Sequence, residues 1–143
     1  MLISELLSRK GAQVATVLPS APVSAVLAGL ADHDVGALVV SADGAHVSGI
    51  VSERDVVRAL NRLGPGVLAE PVTVIMSAQV QHCAPGDTVD SLAQTMTTLR
   101  IRHVPVLEDD VLVGIVSIGD VVKSRIGELE EDRRALEHYI TAR

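Results

Sequence analysis

The sequence predicts a mixed α/β (α+β) fold made of two copies of one unit. Each copy is a small sheet packed with helices, and a long C-terminal helix follows the second. Three observations carry this. GIVSERDVV at 49–57 returns as GIVSIGDVV at 114–122, identical at seven of nine positions at an offset of 65. Upstream the offset is 66, pairing Val14 with Val80, Pro19 with Pro85, Val23 with Val89 and Val40 with Val106. Each copy also runs from a helical apolar period into two short β-rich segments and back to a helix start. The offset changes between Val106 and Gly114, where a hairpin loop absorbs a one-residue deletion at little cost.

The first helix of each copy rests on an i, i+3, i+4, i+7 stripe. The stripe is Val23, Val26, Leu27 and Leu30 in one copy and Val89, Leu92, Ala93 and Met96 in the other. Pro22 suits a first helical turn and Asp87 is the expected N-cap. Strands follow at 37–40 and 104–107, then the polar turns SADGAH and EDD, then strands at 47–51 and 111–116. A second helix opens at Ser52 or Ser117. The sequence therefore divides into a first repeat with its N-terminal segment (1–63), a GPG-led linker (64–72), a second repeat (73–127) and a helical extension (128–143).

That last helix runs to about Thr141. Val122, Ile126, Leu129, Leu136 and Ile140 form one narrow apolar seam, with Arg133 filling its gap. Glu130 and Arg134 are spaced for an i, i+4 ion pair. The seam either packs on its own domain or meets the same helix of a second copy.

Composition narrows the function. A repeat of about 60 residues would be marginal alone, because small units bury too small a fraction of their surface, but 143 residues with 48% apolar content can close a shared core. With 12 Lys+Arg against 18 Asp+Glu, the net charge of −6 argues against a broad nucleic-acid or membrane-surface role. No Trp, no Phe and a single Tyr leave no aromatic platform for stacking single-stranded bases. Cys83 is the only cysteine, so no disulfide framework forms within the chain and a reducing cytoplasm is expected. The start, MLISELLSRKG, has too short an apolar stretch for a signal peptide, and no window approaches 18 apolar residues. The five histidines and Cys83 show no metal-ligand spacing. No phosphate loop, dinucleotide fingerprint or nucleophile elbow is present, so an enzyme is not expected.

Two motifs have chemical potential. Ser52-x-x-Asp55 and Ser117-x-x-Asp120 stand where a strand enters a helix. On spacing alone they read as helix caps, with Ser accepting backbone N–H groups and Asp favouring the positive end of the dipole. Arg102 and His103 precede the VPV run of the second copy, whereas Gly36 and Ala37 hold the matching places in the first. Arg54, between Ser52 and Asp55, is a cation where the helix dipole disfavours one.

The order helix, ALVV, turn, GIVSERD, helix, then RIRHVPV, turn, GIVSIGD, helix resembles the CBS-domain family over roughly residues 3–127. The resemblance implies two CBS repeats related by a pseudo-twofold through their sheets, with two clefts between them. It implies clefts that bind adenosine-containing ligands, AMP first, with NAD or ATP as alternatives. It makes Asp55 and Asp120 acceptors for a ribose diol, held by the Ser52 and Ser117 caps. Arg102 and His103 become phosphate contacts, Arg54 a candidate for the other cleft, and Ile115 with Val35 and Gly36 the aliphatic walls for adenine. It also implies a homodimer that regulates an effector protein without catalysis. The competing expectation is a structural or docking homodimer with empty clefts.

Overall fold

A computed structural model describes residues 1–142. Its helices are α1 (Ile3–Lys10), α2 (Val23–His33), α3 (Glu53–Leu63), α4 (Val89–Leu99) and α5 (Ile118–Thr141). Its strands are β1 (Thr16–Val17), β2 (Ala37–Val40), β3 (Gly49–Ser52), β4 (His103–Glu108) and β5 (Val111–Ser117). Two short 3-10 helices, Pro65–Ala69 and Val72–Val74, follow α3. The mixed fold and the long terminal helix are those the sequence predicts.

β2 and β3 pair antiparallel, with β1 added in parallel on the outer edge of β2. β4 and β5 form the second hairpin. There the counterpart of β1 shrinks to one parallel bridge, Cys83 with Val106, which lies 66 residues on from the Val17–Val40 pair. Cys83 is buried, and burial, seconded by the nearby Asp87 charge, pushes its thiol up to about 11. It stays a protonated, small apolar filler.

The loop deletion has a visible effect. In the first copy residues 41–48 form an open loop tied by Asp43, whose carboxylate accepts the Ala45 and His46 amides at 2.8 Å each. In the second copy Asp109 and Asp110 both adopt positive φ and close a two-residue turn of the kind that matches strand twist. The first strand of the second copy consequently extends to Glu108.

The predicted stripes mostly face inward. Val23, Val26 and Leu30 are buried in α2, and Val89, Leu92 and Met96 in α4, while Leu27 is exposed. Asp87 does not cap α4. Thr88 does, accepting the Ser91 amide at 3.1 Å, and Asp87 accepts the Ala84 amide in the preceding turn. A side chain one residue nearer the helix reaches the free N–H first.

Sequence periodicity leaves α1 and the segment after α3 unread, and these interlock the two halves. Ile3, Leu6 and Leu7 of α1 pack into the second repeat's core with Val89, Leu92, Met96 and Val104. Val67 and Val72, from the stretch leading into the second repeat, pack into the first repeat's core with Val23, Val26 and Val51. Matching backbone bonds fasten each lead-in. Ile3 N–H donates to Asp87 O and Val89 N–H to Met1 O; Val72 N–H donates to Ala21 O and Val23 N–H to Glu70 O. Each repeat lends the other the segment that closes its core.

This exchange explains the signature glycine. A Cβ on Gly114 would stand 2.7 Å from Leu7 Cδ2, and one on Gly49 would stand 2.6 Å from Met76 Sδ and 2.8 Å from the Ser77 carbonyl. At Gly49 the backbone carbonyl of Ser77 leaves room for glycine alone, and at Gly114 the Leu7 side chain fills the space that a Cβ would take.

Candidate functional site

The two strand-to-helix junctions share one construction. Ser52 accepts the Asp55 amide, and the Asp55 carboxylate accepts the Ser52 amide at 2.8 Å. Ser117 and Asp120 repeat this, with the Ser117 amide 2.8 Å from Asp120 Oδ2. Each is a reciprocal capping box, which fixes the carboxylate's orientation as well as the helix start. A further backbone bond ties each junction to the start of its partner strand: Glu53 N–H donates to Gly36 O, and Ile118 N–H to Arg102 O. Each junction thus gathers a capped Asp and the residues that open the first hairpin strand.

The junctions meet at His103 and Gly36. A Cβ on Gly36 would lie 3.1 Å from His103 Cε1, so the imidazole fills the space that glycine leaves. Glu53 lies beside the same point. Burial holds His103 below its ordinary value of 6.5, against the opposing pull of Asp120 and Glu53. The ring is neutral at pH 7, so any positive charge at this edge comes from elsewhere.

The remaining sequence candidates separate. Val35 is exposed just beyond α2, which ends on Asp34 at φ 51°. Arg54 and Arg102 are exposed, and neither side chain has a hydrogen bond or ion pair among the described residues. Ile115 is half-buried and its carbonyl is occupied.

The occupant is Lys10, which sequence reasoning missed. Its Nζ lies 2.6 Å from Asp120 Oδ2 and 2.6 Å from the Ile115 carbonyl. Burial acts to raise the Asp120 pKa, but the Lys10 hydrogen bond and the Ser117 amide and hydroxyl outweigh it and hold the carboxyl below 3.8. Asp120 Oδ1 carries no protein hydrogen bond among the described residues. One signal for Lys10 was legible: it stands at i+7 from Ile3, on the stripe of Ile3, Leu6 and Leu7. A cation ending an apolar stripe points toward a buried edge.

Two cavities lie elsewhere. A groove of about 270 Å³ runs between α4 and α5, walled by Val89, Ala93, Ile118, Val121 and Val122 among others, and Asp120 does not line it. A smaller hollow of about 150 Å³ joins the repeats between Val47 and the segment holding Val80, His82, Pro105 and Leu107. Among the described residues no cluster of His, Cys, Asp or Glu could hold a metal, and no helix is long and apolar enough to cross a membrane.

A family model described as CBS domain matches residues 3–62 and 72–127. The chain is 37% identical over 115 residues to the CBS domain-containing protein CBSX3, mitochondrial, of Arabidopsis thaliana, covering 78% of this chain and 56% of that one. It therefore spans a little over half of that relative's length. The crystal structure of the CBS-domain containing protein ATU1752 from Agrobacterium tumefaciens superposes with a TM-score of 0.84 at 44% identity, covering 87% of this chain and 99% of that one. The CBS domain protein PAE2072 from Pyrobaculum aerophilum, complexed with AMP, superposes with a TM-score of 0.73 at 30% identity, over 84% and 89% of the two chains.

Proposed function

Because this chain belongs to the CBS-domain family, we propose that it is an adenine-nucleotide sensor, not an enzyme, that works in the cytoplasm by changing its contacts with an effector protein. The observation that carries the reading is Asp120: a capped, half-buried carboxylate where strand enters helix, with no protein hydrogen bond on Oδ1 among the described residues. An ionised carboxylate accepts and never donates, which suits a ribose hydroxyl. The AMP complex of the Pyrobaculum protein supports AMP as the first ligand to try, with NAD and ATP next.

Arg102 is the proposed phosphate contact, since its side chain is unpaired and its guanidinium can form a bidentate charge-assisted bond. A neutral His103 serves as packing or as a hydrogen-bond partner. Calorimetry with AMP and adenosine tests this. Arg102→Ala should weaken AMP about tenfold or more and leave adenosine unchanged, in line with a charged hydrogen bond of about 1.5–3 kcal/mol. Arg54→Ala should leave both unchanged. If both variants retain the full preference for AMP, Arg102 is not the phosphate contact.

We also propose a homodimer formed through α5. Val122, Ile126, Leu129, Leu136 and Ile140 are 50% to 67% exposed, so the seam is not packed on its own chain. Among the described residues the ion pairs within this helix are Arg125 with Glu128 and Arg133 with Glu137, not Glu130 with Arg134. Such a stripe needs a cover. Deleting the residues after Ile126 should halve the mass seen by light scattering. A truncated protein that stays fully dimeric would place the interface elsewhere.

A further inference from the structure

We infer that Lys10 sets the ligand selectivity of the Asp120 cleft: its ammonium competes with a neutral ribose for the carboxylate and supplies the charge that admits a phosphorylated nucleoside. This rests on the nucleotide reading above and adds a residue to it.

The placement is built, not incidental. Lys10 reaches Asp120 across 110 residues of sequence. It does so from the last turn of a helix anchored by three buried side chains, Ile3, Leu6 and Leu7. Gly11, at φ 99°, ends that helix by donating its N–H to Leu7 O at 2.8 Å. The ammonium is therefore delivered by a fixed element. Of its three N–H groups, two are used by Asp120 and Ile115, which leaves one for a ligand.

The first repeat solves the same local problem without a cation. The Ile50 carbonyl, the counterpart of Ile115, accepts the Ser77 backbone N–H at 2.9 Å. Leu7 packs on Gly114 as Met76 packs on Gly49, an offset of 69 that sets Lys10 opposite Gln79, a neutral and exposed residue. Asp55 has no cationic partner among the described residues. The asymmetry between the clefts thus includes the charge beside the ribose acceptor as well as Arg102.

The electrostatic consequence follows directly. A phosphate monoester brings between one and two negative charges at neutral pH. Beside a bare carboxylate, in a partly desolvated cleft, it is repelled. With Lys10 in place the pair's net charge is zero, and a phosphate oxygen can draw the ammonium off Asp120 Oδ2 through its remaining N–H. Adenosine has no phosphate to draw the ammonium away, so its ribose diol finds Oδ1 open but has to contend with Lys10 for Oδ2.

Calorimetric titration of the full chain with adenosine and with AMP tests this. Lys10→Met keeps the aliphatic stem and removes the charge; Lys10→Gln repeats the test with a second neutral side chain. Both should bind adenosine about tenfold tighter and AMP about tenfold weaker, the size of one charge-assisted hydrogen bond gained or lost. Lys10→Arg should keep the wild-type order. The two ligands moving in opposite directions is the signature, whereas Arg102→Ala moves AMP alone. If both ligands weaken together, Lys10 is only a structural tie; if neither changes, it does not touch the site; both results overturn the inference and leave the nucleotide reading standing. Wild-type protein that binds neither ligand removes that reading and the inference with it.

Discussion

Asp120→Ala is expected to weaken AMP about ten- to a hundred-fold while the chain stays folded. The charge-assisted hydrogen bond that Oδ1 offers a ribose hydroxyl is worth about 1.5–3 kcal/mol, and each 1.4 kcal/mol is about tenfold. The same substitution also removes half of the Ser117 capping box and leaves Lys10 without its partner. A lost cap costs about 1 kcal/mol, which lowers the melting temperature of a domain this size by about 2–4 °C. Asp55→Ala separates the two roles, because Asp55 builds the same box with Ser52 in the first repeat. It should show the same small loss of stability and retain AMP at the Asp120 cleft. If Asp120→Ala keeps wild-type affinity in calorimetry, Asp120 is a helix cap and nothing more.

The Asp120 carboxyl also carries a pH signature. Its folded pKa lies below the ordinary 3.8. Ionisation therefore stabilises the fold fully above the unfolded value, and the contribution is lost as pH falls through the folded pKa. The stability gap between wild type and Asp120→Ala should narrow as pH falls below 3.8.

Ile3→Ala is the substitution expected to cost most stability. Ile3 is third in the chain, yet no part of it is exposed, and it fills the second repeat's core beside Met96 and Val104. Removing its branched side chain should cost about 2–5 kcal/mol, the transfer term plus the cavity left behind. Urea denaturation should show a lower midpoint at unchanged slope, the mark of lost stability rather than an altered unfolded state. Leu18→Ala, at a 54% exposed apolar site, should stay within about 0.5 kcal/mol of wild type. A loss below about 1 kcal/mol at Ile3 would mean that α1 is an ornament on a core complete without it.

The parts of this molecule that were legible in sequence are those fixed by near neighbours. The two Ser-x-x-Asp junctions were readable because a capping box spans only three residues and the strand before it alternates simply. The hairpins were readable because polar turns separate their β-rich runs. Reach over long sequence distance was not. The Lys10–Asp120 pair joins positions 110 apart, and nothing local at either end names the other. The exchanged lead-ins escaped because they do not share the repeat's register. Bodies align at offsets of 65 and 66, while the contacts that fasten the lead-ins align at 69. The Asp87 cap failed for a smaller reason: two capping residues stand side by side, and composition cannot say which one the chain turns toward the helix.

The crossed lead-ins make each half dependent on the other. Neither half of this chain owns the segment that seals it. A solitary half-length chain of this design could bury its apolar interior only by trading its opening residues with another molecule. The tandem chain makes that barter internal: each half finds the lid it depends on at no concentration cost, because one backbone never lets the two separate.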